Sequence, residues 1–99
     1  MMLMDFKVNT VHFTADQKLI DFIEGKVKKL ALMNDNILSS EVYLRLDKDT
    51  SNENKVAEVK IHIPGHELFA KKQCKSFEEA ADLAVDALKK QVERHKPKH

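Results

Sequence analysis

The chain has 99 residues, 17 Lys+Arg against 16 Asp+Glu, and a formal net charge of +1. With 42% hydrophobic and 33% charged residues, it reads as one globular domain and excludes both a disordered chain and a two-lobed enzyme. The lone Cys74 excludes an internal disulfide, the apolar runs are too short to span a bilayer, and Met1-Met2-Leu3-Met4 lacks the basic flank of a signal peptide. A soluble, cytoplasmic protein is expected.

The first predicted element is a strand from about Met4 to Phe13, in which Phe6 and Val8 alternate with Lys7 and Asn9. Thr14-Ala15-Asp16-Gln17 reads as a capping box, with Thr14 as the N-cap. The helix it opens runs to about Ala31 or Leu32. Leu19, Ile23, Val27 and Leu30 form its inward stripe, widened by Ile20 and Ala31, and Lys18, Asp21, Gly25, Lys28 and Lys29 lie opposite. Asn34-Asp35-Asn36 ends it with turn chemistry. A strand follows with Val42, Leu44 and Leu46 inward and Tyr43, Arg45 and Asp47 outward. The polar run from Asp49 to Asn54 is a hairpin loop, and Ala57, Val59, Ile61 and Ile63 mark the next strand. Pro64-Gly65 turns the chain into a more polar strand from Leu68 to Cys74. Ser76-Phe77-Glu78-Glu79 is a second capping box, opening a helix with Phe77, Ala81, Ala84, Leu88 and Val92 inward and Pro97 as a stop after His95.

The order β-α-β-β-β-α implies a right-handed crossover between two parallel strands and then an antiparallel meander. The expected fold class is α+β: a two-layer domain over 1–99, with a four-stranded mixed sheet and both helices packed on one face.

Catalytic motifs are absent. Two glycines allow no phosphate-cradling loop, and Cys74 has no identifiable histidine partner, so it reads as a small residue packed at a strand end. His62 and His66 straddle the Pro-Gly turn, and His95 and His99 sit four apart, but neither pair brings a third ligand, so no metal is expected. Glu78, Glu79, Asp82 and Asp86 occupy the first half of the second helix, where they complement the positive end of its dipole. No enzyme, cofactor or small-molecule substrate emerges.

Charge location is more informative. The stretch from Lys89 to His99 carries Lys89, Lys90, Arg94, Lys96 and Lys98. Lys90 and Arg94 share a flank of the helix with Leu83 and Ala87. Lys18, Lys26 and Lys29 lie on or near the exposed flank of the first helix. Packed side by side, the helices are expected to border a shared basic groove suited to phosphate backbones. The same bases also compensate the dipole at the last helical turn. The outward residues Tyr43 and Phe69, with Arg45, Lys60 and Lys71, offer an alternative platform for single-stranded RNA. A protein–protein interaction module using the exposed sheet face is a further alternative.

The order of elements joins a set of particular stretches: Phe13-Thr14 through Leu30 with Lys26-x-x-Lys29-Leu30, Asp35, Glu41-Val42-Tyr43-Leu44, Ser76-Phe77-x-x-Ala80, and Lys90-Gln91-Val92-x-Arg94-His95-Lys96. Taken together, over essentially the whole chain, these resemble the short ribosome hibernation-promoting factor and ribosome-associated inhibitor A family, also called sigma-54 modulation proteins. The resemblance implies a stress or stationary-phase protein that binds the small ribosomal subunit and its ribosomal RNA in the messenger and transfer-RNA channel. There it would silence translation and preserve idle ribosomes. By matching positions, it implies RNA contacts at Lys26, Lys29, Lys90, Arg94, His95 and Lys96, with Lys18, Lys28 and Lys89 as weaker candidates. Ending at His99, the chain looks like the short form, without the extra domain that pairs ribosomes, and monomeric in isolation. It departs from many relatives in having Met33-Asn34 rather than aromatic residues before Asp35, and Asp86 and Glu93 add negative charge to the second helix.

Overall fold

The computed structural model describes residues 5–11, 13–34, 36–48 and 52–94. In chain order the elements are β1 (Asp5–Val11), α1 (Gln17–Leu32), β2 (Ser39–Leu46), β3 (Lys55–Ile63), β4 (His66–Cys74) and α2 (Phe77–Arg94). The strands form one sheet in the order β1-β2-β3-β4, parallel between β1 and β2 and antiparallel thereafter. This is the α+β arrangement the sequence predicts. The expected helix end at His95 with its Pro97 stop, Asp35 of the predicted turn, and Asp49 to Ser51 of the hairpin loop lie outside the described residues.

Register sorts the side chains onto two faces. Val8, Val42, Val59 and Ala70 share one row facing the helices, while Lys7, Glu41, Lys60 and Phe69 share the next row on the open face. Leu19, Ile23, Val27 and Leu30 of α1 and Ala80, Ala81, Ala84, Val85, Leu88 and Val92 of α2 close the core over Val42, Leu44, Val59 and Ile61. The helix α2 lies over β3 and β4, and α1 packs beside it. Three alanines on its inner face let α2 settle close to the sheet, and Phe13 stacks on Phe77 with centroids 4.7 Å apart.

Local chemistry sets the boundaries, and some differ from expectation. The N-cap of α1 is Asp16, not Thr14: its backbone is extended, and Oδ1 accepts a hydrogen bond from Leu19 N at 2.8 Å. A carboxylate satisfies an amide as well as a hydroxyl does and adds charge opposite the helix dipole. Gln17, expected to close a capping box, instead donates to Asp21 Oδ1 at 2.9 Å. Strand β1 accordingly ends at Val11, which frees Phe13 for the core. Ser76 does cap α2, its Oγ accepting from Glu79 N at 3.1 Å. Ile63 pairs directly with His66 across Pro64-Gly65, with Gly65 at φ 79°. That is a type II turn, so β4 starts two residues earlier than predicted. Val56 is fully buried although it faces away from the helices, between Arg45 and Gln73 in register; the alternation read from Ala57 onwards did not include it.

Candidate nucleic-acid interface

Strand directions dictate the geometry of the helix layer. Each helix runs back against the strand before it, and β1 and β4 point the same way, so α1 and α2 are parallel. Two negative dipole ends therefore lie at one end of the molecule. Lys29 in α1 and Arg94 in α2 sit in the last turns and stabilise those ends, with Lys89 and Lys90 a turn further back.

Between the helices runs a groove of about 210 Å³, lined by Lys26, Lys29, Leu30 and Met33 from α1 and by Asp82, Val85, Asp86 and Lys89 from α2. Lys26 is held in place: its Nζ is 3.0 Å from Asp82 Oδ1 and 5.4 Å from the centroid of the Phe22 ring. Both members of that ion pair are partly exposed, so it contributes about 0–1 kcal/mol to stability and acts chiefly by fixing the lysine. Lys29, Asp86 and Lys89 have no hydrogen bond or ion pair among the described residues.

The structure thus brings together Lys26, Lys29 and Lys89, and it separates them from Lys90 and Arg94. The latter two are exposed on the opposite flank of α2 with Leu83 and Ala87. On that side Gln91 Nε2 donates to the Phe69 carbonyl of the edge strand at 3.0 Å. The shared groove expected to hold Lys90 and Arg94 is instead completed by Lys89, because α1 packs on the flank carrying Val85. The signal for that flank was in the sequence: Val85 extends the apolar stripe of α2 on one side, opposite Leu83. Lys18 is exposed in the first turn of α1, and Lys28 pairs with Glu24 at 3.4 Å. Asp86 lines the groove, Glu93 is exposed near the end of α2, and His95 and Lys96 lie outside the described residues.

Much of the open sheet face is paired within itself. Tyr43 donates to Glu41 Oε2 at 2.8 Å, Arg45 pairs with Glu58, and Lys60 Nζ lies 3.9 Å from Glu67. His62 bridges Glu41 at 3.6 Å and Glu67 at 3.3 Å. The Tyr43 hydroxyl holds Glu41 below the ordinary carboxylate range, against some opposing desolvation, and Glu41 in turn raises Tyr43. Tyr43 on β2 and Phe69 on β4 are separated by β3 and stand two residues out of line in register, hence roughly 12 Å apart at the usual strand spacing and rise. They do not form a paired platform for stacked bases.

Cys74 is buried in the core, and burial followed by the nearby Glu79 pushes its thiol pKa up, which leaves it protonated and unreactive. Among the described residues, no group of three or more His, Cys, Asp or Glu side chains is placed to hold a metal, and no helix is long and apolar enough to cross a membrane.

Residues 6–99 match the model of the family described as "Sigma 54 modulation protein / S30EA ribosomal protein". The chain belongs to this family. A ribosome hibernation promoting factor of Klebsiella oxytoca is 30% identical over 78 residues, 79% of this chain and 78% of that one. The N-terminal domain of Protein Y from Thermus thermophilus aligns with a TM-score of 0.80 at 24% identity, covering 95% of this chain and 100% of that domain. A ribosomal subunit interface protein from Coxiella burnetii aligns with a TM-score of 0.84 at 18% identity, covering 96% and 100%. These two structures bear on the fold, and they share the β-α-β-β-β-α arrangement found here.

Proposed function

We propose that this family member binds the small ribosomal subunit and its ribosomal RNA through the basic side of its helix layer. Seated in the messenger and transfer-RNA channel of the cytoplasmic ribosome, it inhibits translation and preserves idle ribosomes during stress or stationary phase. The family match over residues 6–99 carries the ribosomal part of this reading. The convergence of Lys26, Lys29 and Lys89 on one groove, with Lys90 and Arg94 exposed on the other flank of α2, supports the choice of the helix layer. The action is non-enzymatic. Lysines displace counterions from RNA phosphates, and the body of the protein then excludes messenger and the anticodon ends of transfer RNA.

Co-sedimentation with small subunits across a salt series tests this reading. Log affinity should fall linearly with log salt, each phosphate contact adding roughly 0.7–0.9 to the slope. Subunits preloaded with messenger and an anticodon stem-loop should lose the protein. Salt-independent binding, or undiminished binding to preloaded subunits, contradicts the proposal.

A further inference from the structure

The groove between the helices is poorly suited to phosphate alone. Asp86 lines it with Lys29 and Lys89 and has no hydrogen bond or ion pair among the described residues, while Asp82 is already neutralised by Lys26 at 3.0 Å. A phosphate seated among the three lysines meets the Asp86 carboxylate at close range, where like charges repel. Between the charged side chains lie the exposed Met33 and the edges of the nearly buried Leu30 and Val85, an apolar floor. A ligand that satisfies the whole groove combines a flat apolar ring, N–H donors on one edge, and negative charge on either side.

We propose that this groove receives one unpaired guanine of an RNA strand. The base lies against Met33, over the edges of Leu30 and Val85. Its N1–H and N2–H donate to the two oxygens of Asp86, and the flanking phosphates meet Lys29 and Lys89. A carboxylate accepts and cannot donate, so the adjacent donors of guanine fit it best. Cytosine and adenine each offer a single amino group beside an acceptor, and uracil presents its one N–H between two carbonyls. Recognition of unpaired bases by their Watson–Crick edges is the usual route to sequence preference in RNA. With about 210 Å³, the groove is below the size of a drug-like site and admits one ring system. Asp82 acts as a positioning residue, keeping Lys26 off Asp86 so that the carboxylate stays available.

This inference rests on the RNA-docking reading, and the test separates the two. Fluorescence anisotropy at low salt would compare labelled uridine octamers carrying one central G, C or A with the all-U octamer, with free GMP as competitor. The wild type should favour the G-bearing octamer by about 3–10-fold over all-U, and free GMP should compete weakly because it lacks the second flanking phosphate. Asp86→Asn should abolish the preference, whereas Lys29→Glu should weaken all four octamers alike. Equal binding of all octamers by the wild type overturns the inference, as does an Asp86→Asn variant that keeps the preference for the G-bearing octamer. GMP competing as strongly as the G-bearing octamer also overturns it, by making the ligand a free nucleotide. Small-subunit co-sedimentation is run in parallel: if it persists while the octamers are not discriminated, only the guanine site fails; if it is lost as well, the docking reading fails with it.

Discussion

At the scale of single residues, the clearest electrostatic coupling joins Glu41, Tyr43 and His62 on the open sheet face. The Tyr43 hydroxyl is the largest influence lowering the Glu41 pKa; His62 and Lys60 act in the same direction, and desolvation opposes them. A carboxylate whose folded pKa lies below its unfolded value contributes stability that is fully present above the unfolded pKa and lost as pH falls through the folded one. The wild type should therefore lose this contribution on acidification below the ordinary carboxylate range. In Tyr43→Phe, the Glu41 side-chain resonance in an NMR titration should move up toward that range, and the acid-side slope of stability should flatten. An unchanged Glu41 midpoint would show that the hydroxyl does not set it. None of this was legible in the sequence, where Tyr43 reads as an outward residue; the coupling depends on a side chain reaching along its own strand to the i−2 position.

Elements were the most legible level, because hydrophobic periodicity and turn chemistry agree along most of the chain. The inward stripe of α1 named from spacing alone (Leu19, Ile23, Val27 and Leu30) is its buried set. The Pro64-Gly65 turn and the Ser76 cap also follow directly from residue type. The start of α1 was ambiguous for a physical reason: Thr14 and Asp16 are both good N-caps, and sequence does not reveal that packing Phe13 on Phe77 delays the helix. Asp16→Ala should cost about 0.5–2 kcal/mol, lowering the melting temperature by roughly 4–8 °C per kcal/mol. Thr14→Ala should leave it nearly unchanged. The reverse ranking in thermal melts would return the cap to Thr14. The flank of α2 that faces α1 was harder to read, since an apolar stripe has two borders and the bases lie near both. Lys89 consequently belongs to the groove, while Lys90 and Arg94 stand outside it.

For the molecule as a whole, the near-balance of 17 basic and 16 acidic residues conceals an arrangement in space. On the open sheet face Arg45 pairs with Glu58 and Lys60 with Glu67, while Lys7 and Lys71 have no ion pair among the described residues. In the helix layer, Lys29 and Lys89 have no hydrogen bond or ion pair among the described residues, and Lys90 and Arg94 are exposed on the other flank of α2. The two parallel helices concentrate these bases at one end, where they serve the helix dipoles and remain accessible to a polyanion. The acids that persist in the layer, Asp82 and Asp86, temper this attraction, so attachment should be reversible and sensitive to salt. The central claim is that the helix layer, and not the sheet, meets ribosomal RNA. It is tested most directly by measuring small-subunit affinity at one low salt concentration for two charge-reversed proteins, Lys29→Glu/Lys89→Glu on the helices and Lys7→Glu/Lys71→Glu on the sheet, with circular dichroism confirming that both are folded. The helix-layer variant should lose at least about tenfold in affinity and the sheet variant less than about threefold, each reversal removing roughly one phosphate contact; equal losses, or the larger loss in the sheet variant, would contradict docking through the helices.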